Sequence, residues 1–95
     1  MKPERLEPLF RNKTMKIERI TSRGHATPKG RWLRGSKNEW VMLMSGAARV
    51  RFEKGRTIAM KTGSTLLIPA GRAHRVEWTK PGVRTVWLAV HWPSD

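Results

Sequence analysis

The sequence predicts an all-β fold in a single small domain, on three observations. Glycine and proline interrupt the chain every few residues beyond Thr14, from Gly24, Pro28 and Gly30 through to Pro81 and Gly82. Little of that length is long enough for a stable helix. Between the interruptions lie short apolar or alternating runs rich in strand-forming residues. The 95 residues allow one compact core and leave no room for two. Seven or eight strands in a chain of this size point to a closed barrel or a jelly roll, architectures that limit free sheet edges.

In chain order, residues 1–14 are expected to form a turn or an arm. Leu6, Leu9 and Phe10 have helical spacing, but Pro8 sits among them. Met15–Ile20 reads as the first strand, with Met15 and Ile17 alternating against Lys16 and Glu18. Glu39–Met44 is continuous enough in its apolar content to have both faces covered. Ala48, Val50 and Phe52 alternate with Arg49, Arg51 and Glu53, which gives one apolar and one charged face. Lys54-Gly55 then turns the chain into Arg56–Lys61, where Ile58 and Met60 continue the alternation, so a short hairpin is expected. Ser64–Ile68 and His74–Trp78 follow, divided by Pro69-Ala-Gly71. In the second of these, Val76 and Trp78 share the face of His74, while Arg75 and Glu77 point away. The last run, Val83–Trp92, is long and apolar on both faces. The domain is therefore drawn as an arm over 1–14 and a barrel over 15–95.

Composition bounds the function. Twenty Lys and Arg against seven Asp and Glu give a net charge of +13. Residues 1–38 hold eleven basic residues against three acids, and residues 39–95 hold nine against four, so the excess runs along the whole chain. A polyanion partner, nucleic acid above all, is the first reading of such a charge. No block of five like charges appears, however, and a disordered nucleic-acid arm usually carries one. The absence of cysteine excludes disulfides, thiolate metal sites and a cysteine nucleophile. The absence of tyrosine removes phenolic acid–base chemistry. No apolar run approaches the length of a membrane span or a secretory leader, so no membrane partner is expected.

The second half carries motif spacing. Gly63, five residues, Pro69, one residue, Gly71, two residues and His74 reproduce the second cupin motif, G(X)5PXG(X)2H(X)3N, up to its final position, where Trp78 replaces Asn. Glu39, six residues and Gly46 match the end of the first motif, G(X)5HXH(X)3,4E(X)6G. Over residues 15–92 the chain resembles a small single-domain cupin of the conserved-barrel type, which implies a double-stranded β-helix, or jelly-roll, barrel. The resemblance also implies a divalent metal held by the two histidines of HXH, the motif-one Glu and the motif-two His. Imidazole and carboxylate suit Zn, Fe, Mn, Ni or Cu. Here Glu39 and His74 stand at two of those positions. The HXH positions fall on Trp32 and Arg34, or on Leu33 and Gly35, and neither pair ligates metal. His25 and His91 are the imidazoles left to supply a third ligand.

Three functions follow as expectations. The first is a barrel that binds a small anionic molecule, with Arg34 supplying the positive charge where a metal is usual, Glu39 and His74 beside it, and Trp32 at the pocket mouth. The second is a divalent-metal enzyme of a small metabolite that uses Glu39, His74 and a nonstandard third ligand. The third is a nucleic-acid-binding β-barrel. Glu39 has an alternative as the ion-pair partner of Arg34 or Arg75, and His74 as a buried histidine bonded to Glu39. The resemblance and the apolar residues of 1–14 together lead to the expectation of a cytoplasmic homodimer in which those residues pack on the neighbouring subunit.

Overall fold

The structure is a computed structural model that describes residues 4–94, and none of these residues is helical. Eight strands occur among them: β1 (Arg5–Arg11), β2 (Lys16–Ser22), β3 (Lys37–Ser45), β4 (Ala47–Phe52), β5 (Thr57–Lys61), β6 (Thr65–Ile68), β7 (His74–Thr79) and β8 (Thr85–Pro93). They form a five-stranded sheet in the order β1-β2-β8-β3-β6 and a three-stranded sheet in the order β5-β4-β7, with these strands paired antiparallel. The jelly-roll expectation is met by two facing sheets that keep edges. No helix among the described residues is long and apolar enough to cross a membrane.

The core lies between the sheets. Val41 and Leu43 of β3, Ala48 and Val50 of β4, Met60 of β5, and Trp87 and Ala89 of β8 are buried together. Ile20, Ile58, Leu66 and Val76 pack against them. Each is separated from its strand neighbours in the set by two residues, as a pleated strand with one inward face requires.

Three local readings are corrected. Residues 5–11 form no turn: β1 pairs with β2 of the same chain from Arg5↔Thr21 to Arg11↔Lys16, with a bulge between Pro8 and Phe10. Pro8 lacks a donor and is tolerated because β1 is an edge strand. In β2 the inward residues are Glu18, Ile20 and Ser22, opposite Ala89, Trp87 and Thr85. Ile17 therefore faces outward, the reverse of what apolarity alone suggests. In β7 the pairing shifts so that Val76 faces Val50 while Trp78 faces Arg49. This bulge puts Trp78 on the outside, where the Arg49 guanidinium lies 4.5 Å from the ring centroid, and buries Thr79 instead.

The connections that shape the site are specific. Residues 24–35 run along the free edge of β7. Thr27 donates its N–H to Val76 O and accepts from Val76 N–H through Oγ1, and Leu33 and His74 exchange both backbone hydrogen bonds. Gly46 joins β3 to β4 at φ +91°, and a Cβ there would lie 2.4 Å from Thr85 Oγ1, so only glycine fits.

Candidate functional site

Glu39 enters the site from β3, His74 from the start of β7 and His91 from β8. Period-two alternation sets all three inward: Glu39 is in phase with buried Val41 and Leu43, and His91 with buried Ala89 and Trp87. Gly71 at φ +78° and Pro69 turn the chain between β6 and β7 and deliver His74 to the mouth of the barrel. Together with Leu33, Arg34, Gly35, Ser36, Lys37, Ile68 and Pro69 they line an open mouth of about 360 Å³. Below it a narrower apolar space of about 150 Å³ continues into the barrel past Glu39, His74, Leu33, Val41, Val50 and Trp87. The mouth alone falls within the range of about 300–1,000 Å³ that small-molecule sites occupy.

The polar groups have defined partners. His91 Nε2 lies 3.3 Å from Glu18 Oε1 and 3.9 Å from Glu39 Oε2, so one imidazole stands between carboxylates from two neighbouring strands. Lys16 Nζ approaches the other Glu18 oxygen at 3.3 Å. A row Lys16–Glu18–His91–Glu39 thus crosses β2, β8 and β3 on their inward side. When protonated, His91 is an ion-pair partner for both acids, and when neutral its Nε2–H donates to Glu18. His74 Nδ1 lies 3.0 Å from Arg72 O, a contact that assigns the proton to Nδ1 and leaves Nε2 as an acceptor.

The expected site residues are placed as follows. Arg34, Glu39 and His74 are brought to one mouth. Trp32 is half-buried and lies outside the linings of both the mouth and the space beneath, so it is no part of this site. Arg34 sits at the rim, where its Nη2 donates to Glu53 Oε1 at 3.0 Å. Glu39 is therefore paired with neither arginine: Arg34 takes Glu53, and Arg75 donates to Thr27 O. Nor does His74 bond Glu39. Of the two remaining imidazoles, His91 joins the site, whereas the His25 ring accepts from Arg23 N–H within its own loop. One contributor escaped sequence reasoning: Glu18, which lies outside these linings and reaches the site through His91, itself named in the sequence only as a candidate third ligand. The parity of His91 with Ala89 and Trp87 was a usable signal. Glu18 had none, because apolar Ile17 marks the wrong face.

The metal set that the motifs imply does not fit these residues. The residue that enters the barrel at the missing ligand positions is Leu33, which lines both spaces, and Arg34 brings a fixed cation to the rim. Among the described residues, no group of three or more His, Cys, Asp or Glu is arranged to hold a metal ion. The chemistry present is hydrogen bonding and charge pairing, over an apolar floor.

A two-sheet jelly roll with an inward-facing, part-charged mouth defines the class of small β-barrel domain to which the chain belongs. The cupin-domain family model matches residues 24–91, and the chain belongs to the cupin family. It is 44% identical to a protein of Ralstonia eutropha JMP134 that bears the provisional name mannose-6-phosphate isomerase. The two superpose with a TM-score of 0.94 over 97% of this chain and 86% of that one. A cupin superfamily protein of Desulfitobacterium hafniense DCB-2 (15% identity, TM-score 0.81, 97% and 79% covered) has the same fold. So does the Clostridium difficile EutQ protein (14% identity, TM-score 0.77, 97% and 69% covered). No curated protein sequence matches the chain.

Proposed function

We propose that the chain binds a small anionic molecule in the mouth of the barrel, without a resident metal. The observation that carries this reading is the composition of the mouth. Arg34 and Lys37 stand at its rim, while His74, His91 and Glu39 line it with Leu33 and Ile68. Arg34 uses one nitrogen on Glu53 and retains further N–H donors for a carboxylate or phosphate. A sugar phosphate has the matching division of labour: its anionic group suits the rim, and its hydroxyls suit Glu39 and the two imidazoles. The provisional name of the Ralstonia protein points to the same substrate class.

Isothermal calorimetry against mannose 6-phosphate, inorganic phosphate and gluconate tests the reading. Binding of one of these is expected, and Arg34→Ala should weaken it about tenfold, the order of a charged hydrogen bond. A flat response to the whole panel, or an Arg34→Ala protein that binds unchanged, overturns it. Elemental analysis of untagged protein separates the metal-enzyme alternative: stoichiometric Zn, Mn, Fe or Ni that raises the melting temperature would replace the present reading. Nucleic acid is the third outcome, recognised by affinity that falls steeply with salt.

A further inference from the structure

The mouth of the barrel adjoins a second space, of about 480 Å³, at His91 and Lys37, which line both. Arg11, Lys16 and Glu18 add their side chains to its wall, and the smaller sheet contributes none. Pairing registers set Arg11, Lys16, His91 and Glu39 opposite one another in turn across β1, β2, β8 and β3. Residues so paired share one face of a sheet, and here it is the inward one. One row therefore runs from two cations in the bay to the carboxylate in the mouth, over about 14 Å at the usual spacing of strands.

The bulge in β1 creates the cationic end of this row. Pro8 faces Glu18 on the inward side, and regular pairing beyond it would set Phe10 against Lys16 and turn Arg11 outward. The shift between Pro8 and Phe10 instead sets Phe10 against Ile17 and brings Arg11 opposite Lys16. Like charges directly opposite one another destabilise a pair of strands. Among the described residues no carboxylate pairs with Arg11 or Lys37. Glu18, the acid of the bay, is already taken up by Lys16 and His91, each at 3.3 Å. The β1–β2 turn beside it is fixed, since Asn12 Oδ1 accepts from the N–H groups of Thr14 at 2.9 Å and Met15 at 2.7 Å.

We infer that the bay is the subsite for a second anionic group. The ligand of the mouth is then a sugar-sized molecule charged at both ends, such as a sugar bisphosphate or an aldaric acid. The inference rests on the proposed anion binding in the mouth and adds the second charge to it. One anionic group meets Arg34 at the rim and the other meets Arg11 and Lys16. Lys37, which lines both spaces, stands between them, and hydroxyls along the ligand meet His91 and Glu39. The row is directional, because its carboxylate end repels an anion and its cationic end attracts one. Arg11 brings the donor fork that suits a phosphate or a carboxylate, and Lys16 and Lys37 add point charges beside it.

Calorimetry with two matched pairs of probes tests this: mannose 6-phosphate against mannose 1,6-bisphosphate, and gluconate against glucarate. In the pair that binds, the member with two anionic groups is expected to bind at least about tenfold more tightly, the order of an added charged hydrogen bond. Arg11→Ala and Arg11→Gln should each remove that gain and leave the member with one group unchanged. Arg11 is exposed on an edge strand, so both variants should keep the wild-type far-ultraviolet spectrum. Arg34→Ala should weaken both members, while Arg51→Ala, on the outer face of β4, should leave the gain in place. Equal binding of the two members overturns the inference and leaves the binding reading standing. So does a gain that survives Arg11→Ala, or one that Arg51→Ala also removes, since net charge alone would then produce it. No binding of any of the four probes overturns both readings together.

Discussion

His91, on the central strand of the larger sheet, bonds Glu18 and lies 3.9 Å from Glu39, and its loss is felt through Glu18. The Glu18 side chain is only 10% exposed, and one of its oxygens has His91 as its partner. His91→Ala leaves that oxygen short of a donor in a nearly dry place, and a loss of about 1–3 kcal/mol is expected in urea unfolding. Glu7 and Arg19 form the exposed counterpart. A hydrogen bond from Arg19 holds the Glu7 carboxyl below its ordinary value of 4.5, and the same bond raises Arg19. Because the folded value is the lower one, this stabilisation is present above pH 4.5 and is lost as pH falls through the folded value. Glu7→Gln should be slightly less stable than wild type at neutral pH and low salt. The difference should close in acid, and also near 1 M salt, where the screening length is about 3 Å.

At the scale of elements, the segment along β7 and the β3–β4 turn decide where the site residues sit. Thr27 Oγ1 accepts the part-buried Val76 N–H at 2.9 Å. Thr27→Val keeps the shape and removes the acceptor, so a loss of about 1–3 kcal/mol is expected, together with faster amide exchange at Val76. Gly46→Ala forces a side chain into a positive-φ turn and against Thr85. A cost of about 3 kcal/mol or more is expected in thermal unfolding, from backbone strain and overpacking together. β1 shows how an element can be legible in composition and misread in form. Pro8 argued against a helix and led to a turn or an arm, whereas an edge strand with a bulge accommodates it. The hairpin of β4 and β5 was readable because its outer residues are charged and its inner ones apolar.

For the whole molecule, the charge and the apolar surface divide between two sheets. The smaller sheet carries Arg49, Arg51 and Lys61 outward, while the larger presents an apolar row from Phe10 through Ile17, Val90 and Trp40 to Leu67. The interior that joins them is small, so a core truncation should be costly. Leu43 is wholly buried at the centre, and Leu43→Ala is expected to lose about 2–5 kcal/mol in denaturant unfolding.

The amino-acid sequence alone determined the all-β class, most strand positions, and the turn that delivers His74. Glycine and proline spacing and period-two alternation act locally and need no tertiary partner. It also placed Glu39 inward, through its phase with Val41 and Leu43. Tertiary structure decided which face of β2 is the inside, that Trp78 lies outside, and that Arg34 turns to Glu53 while His91 and Glu18 face the site. The physical reason is that β3 and β8 are apolar on both faces, and β2 carries one isoleucine on each. Alternation marks the interior only where the opposite face meets water, and on this sheet the outer face does not read as a water-facing one.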